Sequence, residues 1–295
     1  MEVKNMADYR IESDTIGEVK IPSTALWGAQ TERSRNNFLT GEKMPLEIIK
    51  ALLQIKKAAA TANKELKNID GAKADLIVEA IDTLLALDDE DLRKDFPLVV
   101  YQTGSGTQTN MNVNEVVAHQ AAKLNAEIEI LPNDDVNKGQ SSNDIFPTAM
   151  NITAAKAVSS LEESTQHLID ELKVKQEKYW KTVKIGRTHL QDATPLTFGQ
   201  EVSGWVSALE HDLDYLQTLG KTLSELAMGG TAVGTGLNAA PGFAGIIADK
   251  MGEVYGLHFT ADTNKFYGLA HHSGLNVVHG AIKTLAADLM KIAND

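Results

Sequence analysis

Trp205-Val-Ser-Ala-Leu-Glu-His-Asp-Leu-Asp-Tyr-Leu216 decides the fold class, because Trp205, Leu209, Leu213 and Leu216 recur at helical spacing and line one apolar stripe. The spacing predicts a helix over roughly 196–226. Upstream, a second long helix is expected from about Thr148 to Lys178. Earlier still, Leu46, Ile49, Leu52, Leu53 and Ile55 keep the same period, with Pro45 suited to a first-turn position. Further helices are expected over roughly 72–87, from near Asn112, over 242–255 and over 269–293. Gly17-Glu-Val-Lys-Ile-Pro22 reads as a short strand or hairpin arm. About seven helices and little strand make a mainly α protein: a small mixed N-terminal part, about 1–140, then a long helical bundle, about 141–295.

Composition narrows the function. The chain has 295 residues, 43% of them hydrophobic, and a formal net charge of −12. Such a surface repels phosphate backbones, so nucleic-acid binding is not expected. An anionic substrate would then need local donors that overcome the global field. Without cysteine, disulfides, thiolate nucleophiles, cysteine-ligated zinc and iron–sulfur clusters are excluded. The polar opening Met-Glu-Val-Lys-Asn-Met6 does not read as a signal peptide, and Met6 is an alternative start. No uncharged apolar run is long enough to span a membrane, so a cytoplasmic location is the default expectation.

Three polar clusters break the helical periodicity. The first is Gly104-Ser-Gly-Thr-Gln-Thr-Asn-Met-Asn112. Its glycines permit close backbone approach to a ligand, and Ser105 and Thr107 add hydroxyl donors. No lysine stands where a phosphate loop needs one. A turn with a helix cap explains the cluster equally well. The second is Gly139-Gln-Ser-Ser-Asn-Asp144, where Ser141, Ser142 and Asn143 precede a helix. Capping accounts for one such residue rather than three. The third is Gly186-Arg-Thr-His-Leu-Gln-Asp192, which places Thr188 and His189 on a loop between two helices. A hydrogen-bonded loop imidazole is the plain alternative for His189. His271 and His272 resemble a metal pair, but adjacent helical residues diverge by about 100°, so they read as bundle residues. The histidines at 119, 167, 211, 258 and 279 lack ligand spacing. Together the three clusters supply uncharged donors near helix N-termini, a set suited to a small polycarboxylate.

These and other stretches resemble the fumarase/aspartase superfamily and, within it, the class II fumarases. The matching segments are Trp27-Gly-Ala-Gln-Thr-Glu-Arg-Ser34, Gly104 to Glu115, Pro132-Asn-Asp-Asp-Val-Asn137, Gln140-Ser-Ser-Asn-Asp144, Gly186 to Asp192 and Gly229-Gly-Thr-Ala-Val-Gly-Thr-Gly-Leu-Asn238. Ser105, Gln108, Ser142 and His189 are the fumarase-like choices where aspartases typically differ. The resemblance implies reversible anti-addition of water to fumarate, giving (S)-malate, as in the tricarboxylic acid cycle. It implies a homotetramer with active sites drawn from three subunits, and no metal or organic cofactor. Ser105, Gly106, Thr107, Ser141, Ser142, Asn143 and Thr188 would bind the dicarboxylate. His189 would be the histidine assigned to acid/base work. Asn133 and Asp134 remain of an accessory anion site, although Leu131 stands where many relatives carry histidine. An aspartase-like ammonia-lyase and a non-catalytic fragment are the alternatives. The stripe Leu275, Val278, Ile282, Leu285, Leu289 and Ile292 runs almost to Asp295 without a stop signal. The family's later Gly-Ser-Ser-x-Met-Pro-x-Lys-x-Asn-Pro signature does not occur. A truncated chain with an incomplete catalytic set and little hydratase activity of its own is therefore expected.

Overall fold

The computed structural model describes residues 8–295; the alternative start at Met6 lies outside them. In chain order the elements are β1 (Tyr9–Asp14), β2 (Gly17–Pro22), α1 (Ala29–Asn37), α2 (Leu46–Glu65), α3 (Gly71–Leu85), α4 (Asp89–Lys94), α5 (Thr107–Leu124) and α6 (Ser142–Lys178). They continue with β3 (Val183–Thr188), β4 (Gln191–Thr197), α7 (Phe198–Gly220), β5 (Glu225–Leu226), α8 (Phe243–Tyr255), β6 (Thr260–Ala261), α9 (Lys265–Ala270) and α10 (Ser273–Asn294). The protein is mainly α, with three two-stranded sheets among the described residues. It forms two compact units: one runs to Thr153 and includes Glu225–His271, the other comprises Ala154–Ser224 and His272–Asp295.

The first unit is built around α2. Ile49, Leu52, Leu53 and Ile55 are at most 1% exposed, and α2 packs against α3, α5 and α8. Each such side chain contributes roughly 1.5–3 kcal/mol by leaving water. Pro45 is the cap rather than the first helical residue. The expected hairpin arm pairs with β1 as an antiparallel hairpin, Tyr9 opposite Pro22 and Asp14 opposite Gly17.

Two separated motifs meet here. Helix α1 starts after Gly28, which has no side chain to cap it. The buried Glu115 of α5 takes that role: its carboxylate accepts from the N–H groups of Gly28 (2.9 Å), Gln30 (2.9 Å) and Thr31 (3.1 Å) and from the Thr31 hydroxyl (2.6 Å). A Cβ at Gly28 would fall 2.8 Å from the Glu115 carboxyl carbon, so the glycine makes room for its own cap.

In the second unit, Ile169 of α6, Val202, Val206, Leu209, Leu213 and Leu216 of α7, and Ala281 and Leu285 of α10 form one core, with Trp205 partly buried against it. Helix α7 opens with a capping box in which Thr197 and Gln200 bond each other's backbone N–H. The stripe expected on α10 divides: Val278 and Leu285 are buried, whereas Ile282 and Leu289 are each 38% exposed.

Several boundaries differ from expectation for identifiable reasons. Helix α5 begins at Thr107 rather than near Asn112, because its first turns bury Thr109, Asn110 and Asn112, and buried polar residues carry no hydrophobic period. Helix α6 begins at Ser142 rather than Thr148. Pro147 sits inside it, in the second turn, where its missing N–H leaves the Asn143 carbonyl without its usual intrahelical donor. Residues 183–197, expected as a loop leading into a helix, form the β3–β4 hairpin. Ten α-helices replace the expected seven among the described residues, because α1, α4 and α9 are too short to show a period.

Candidate active site

In the first unit, Gly106 precedes α5 with φ of 70°, a left-handed conformation that suits glycine. A Cβ there would run into the Phe146 ring of α6. The missing side chain lets the start of α5 lie against the start of α6. As a result, Thr107 Oγ1 stands 3.0 Å from Ser142 Oγ and 2.8 Å from Ser105 Oγ. Thr107 and Ser142 are the first residues of their helices, where backbone N–H groups lack intrahelical partners and the helix dipole is positive. Ser105 is exposed and Thr107 and Ser142 are partly exposed. Three linked hydroxyls at two helix N-termini form a neutral, donor-rich patch suited to a carboxylate.

The patch is braced from behind. Asp144 is fully buried, and its carboxylate accepts from the N–H groups of Ser141 (2.8 Å), Gly229 (3.0 Å) and Thr231 (2.9 Å). Burial pushes its carboxyl above the ordinary range, against those three donors and the nearby Lys56 ammonium. Thus Asp144 ties the start of α6 to the Gly229–Thr231 turn. Asn143 adds a second tie, donating through Nδ2 to the Ala232 carbonyl at 2.8 Å, while its own N–H donates to Ser141 Oγ at 3.2 Å. The matching stretch at 229–238 therefore serves as the wall on which Ser141–Asn143 is mounted.

Thr188 and His189 belong to the second unit, at the tip of the β3–β4 hairpin rather than on a loop between helices. Thr188 pairs with Gln191 across a two-residue turn. Both turn residues, His189 (φ 50°) and Leu190 (φ 63°), are left-handed without being glycine. Such turns match the strand twist but normally call for Asn-Gly or similar pairs. The tip is exposed, Leu190 by 91%, and no hydrogen bond to the His189 ring is present among the described residues.

Asn133 and Asp134 lie exposed on the short π-helical turn Pro132–Val136, next to the 39% exposed Leu131. His271 and His272 are not bundle residues: His271 closes α9, stacking on Tyr267 with ring centroids 5.4 Å apart, and His272 precedes α10. Among the described residues no group of three or more His, Asp or Glu side chains is arranged to hold a metal ion, and no helix is long and apolar enough to cross a membrane.

Sequence reading missed Lys56 and Asp144. Lys56 carried a signal, a lysine on the apolar stripe of α2, where a charge has no place without partners. Asp144 was visible only as the end of a motif.

Residues 17–295 match the family model described as "Lyase". The chain is 50% identical over 294 residues to the class II fumarate hydratase of Bacillus subtilis, covering 98% of this chain and 63% of the relative. It is 52% identical over 288 residues to that of Listeria monocytogenes, with 97% and 63% covered. Among solved structures it superposes on a class II fumarase from Schistosoma mansoni with a TM-score of 0.92 at 40% identity, covering 98% of this chain and 64% of that one. A Brucella melitensis protein titled fumarate lyase:delta crystallin, bound to cobalt, gives 0.89 at 34% identity, with 98% and 64% covered. The chain belongs to this lyase family. It spans 63% of the length of the curated relatives it matches.

Proposed function

We propose that the whole protein is a class II fumarate hydratase, a cytoplasmic homotetramer that interconverts fumarate and (S)-malate. The observation that carries the reading is the Ser105–Thr107–Ser142 hydroxyl chain, with links of 2.8 and 3.0 Å, at the N-termini of α5 and α6. A net charge of −12 disfavours a dianion at long range, so short-range uncharged donors are what such a substrate requires.

In this reading Ser105, the Gly106 backbone, Thr107, Ser141, Ser142, Asn143 and Thr188 hold the two carboxylates. His189 donates to a carboxylate or relays protons, as an imidazole can near neutrality. In the malate direction a base removes the C3 proton, and the adjacent carboxylate takes up negative charge as an aci-carboxylate. Hydrogen-bond donors already in place stabilise that charge more than they stabilise malate, which lowers the barrier. Protonation of the departing hydroxyl then gives water and fumarate. Asn133 and Asp134 belong to an accessory anion site, and the division between the whole protein's first two domains falls near residue 140. The Bacillus and Listeria relatives support the reading through their names and half-identical sequences.

The test follows fumarate by the ultraviolet absorbance of its conjugated double bond, with malate and aspartate offered in parallel to the whole protein. Loss of fumarate matched by gain of malate is expected. Ammonia release from aspartate without malate dehydration would overturn the assignment.

A further inference from the structure

Lys56 sits on the apolar face of α2 and is fully buried. Its ammonium is held by two side-chain oxygens, Asn137 Oδ1 at 2.7 Å and Gln140 Oε1 at 3.0 Å. Both acceptors lie on the segment that leads into Ser141-Ser142-Asn143. That segment is folded around the ammonium. Asn137 Nδ2 donates to the Gln140 carbonyl at 3.2 Å, and Gln140 Nε2 donates to the carbonyls of Val136 and Lys138, each at 3.2 Å. Asn110 of α5 donates to the same Asn137 oxygen at 3.3 Å, and Asn63 of α2 donates to the Lys138 carbonyl at 2.9 Å.

A buried lysine is costly unless its charge and donors are satisfied. Here burial drives the Lys56 amine well below the usual lysine range, and the negative charge of Asp144 opposes that shift. Asp144 also holds the Ser141 N–H. The same short stretch is therefore gripped on its N-terminal side by Lys56 and on its C-terminal side by Asp144. An apolar side chain of similar length would fill the space on α2 equally well. What it would not do is orient two amide oxygens.

We propose that Lys56 is a positioning residue of the substrate site: by gripping Asn137 and Gln140 it fixes where Ser141, Ser142 and Asn143 present their donors to a substrate carboxylate. The inference rests on the functional reading above and deepens it. Lys56 itself touches no substrate. In this proposal Ser141, Ser142 and Asn143 seat the carboxylate remote from the abstracted proton, which takes up no charge, so their contacts act alike in the ground state and the transition state. Loosening them raises KM far more than it lowers kcat.

The test compares the whole wild-type protein with Lys56→Met and, separately, Gln140→Ala, which removes one acceptor and leaves the lysine. Steady-state kinetics with fumarate, thermal melting and amide hydrogen exchange are measured for each. Lys56→Met should raise KM about tenfold with kcat changed less than about threefold, and should speed exchange at 137–144 while α3 and α8 keep their protection. Gln140→Ala should show the same selective defect, and it carries the test if Lys56→Met does not fold. Native KM and native exchange at 137–144 in a folded variant would overturn the proposal. So would kcat and KM effects that merely track a lowered melting temperature. A wild-type protein without fumarate turnover would sink the functional reading instead, while the exchange comparison would still decide whether Lys56 sets the segment.

Discussion

The hydroxyl cluster of the first unit and the hairpin tip of the second hold their shapes by opposite means. Around Ser105, Thr107 and Ser142 nearly every group is braced from within the unit: Gly106 lets two helix starts approach, Asp144 ties three backbone N–H groups, and Lys56 anchors the preceding segment. At Thr188–His189 the chain makes a two-residue turn with two consecutive left-handed, non-glycine residues, exposed and, among the described residues, without a bond to the imidazole. Such residues cost of order 1 kcal/mol or more each, and they persist where the surroundings impose them. The contrast teaches that the donors are preorganised by packing, whereas the histidine is projected by a strained backbone.

Asp144→Ala should break the first region most severely. It orphans three backbone N–H groups, that of Thr231 buried and those of Ser141 and Gly229 partly buried, and a loss of about 3–5 kcal/mol is expected by denaturant melting, with loosening centred on Ser141 and Gly229–Thr231. Gly106→Ala comes next: strain at positive φ and collision with Phe146 should cost about 2–3 kcal/mol and separate Thr107 from Ser142, seen as a lowered kcat/KM in the whole protein.

Effects in the second unit are smaller and of opposite sign. Asp212 of α7 is almost fully buried, and burial together with neighbouring Asp288 pushes its carboxyl up to about 6. An unfolded aspartate titrates near 3.9, so between about pH 4 and 6 the folded state binds more protons and its stability falls as pH rises. Asp212→Asn should flatten that slope and add about 1–2 kcal/mol at pH 7, read from melting curves across pH. Leu190→Gly should relieve one strained turn residue and raise stability by at most about 1 kcal/mol. If it also lowers turnover, the strain serves to aim His189.

Legibility in the sequence followed the same division. Helices whose burial is apolar, such as α2, α3, α7 and α8, stood out through their period. The starts of α5 and α6 did not, because buried Thr109, Asn110 and Asn112 and internal Pro147 erase or interrupt that signal. The β3–β4 hairpin was hidden because His189-Leu190 is not a usual hairpin turn. The motif residues Ser105, Thr107 and Ser142 could be named from sequence, but not that Gly106 and Phe146 bring their hydroxyls together. Their supports were harder still: Lys56 lies 81 and 84 residues from Asn137 and Gln140 along the chain, and only folding reveals the connection.

The most direct test of the donor cluster is a double-mutant cycle on dicarboxylate binding. Malate is titrated calorimetrically into the whole wild-type protein, Thr107→Val, Ser142→Ala and the double variant. Because the two hydroxyls lie 3.0 Å apart, each single change should weaken binding by about 1–2 kcal/mol, and the double variant should lose less than their sum by at least about 0.5 kcal/mol. Wild-type affinity in both single variants, or strictly additive losses, would contradict a shared carboxylate seat at Thr107 and Ser142.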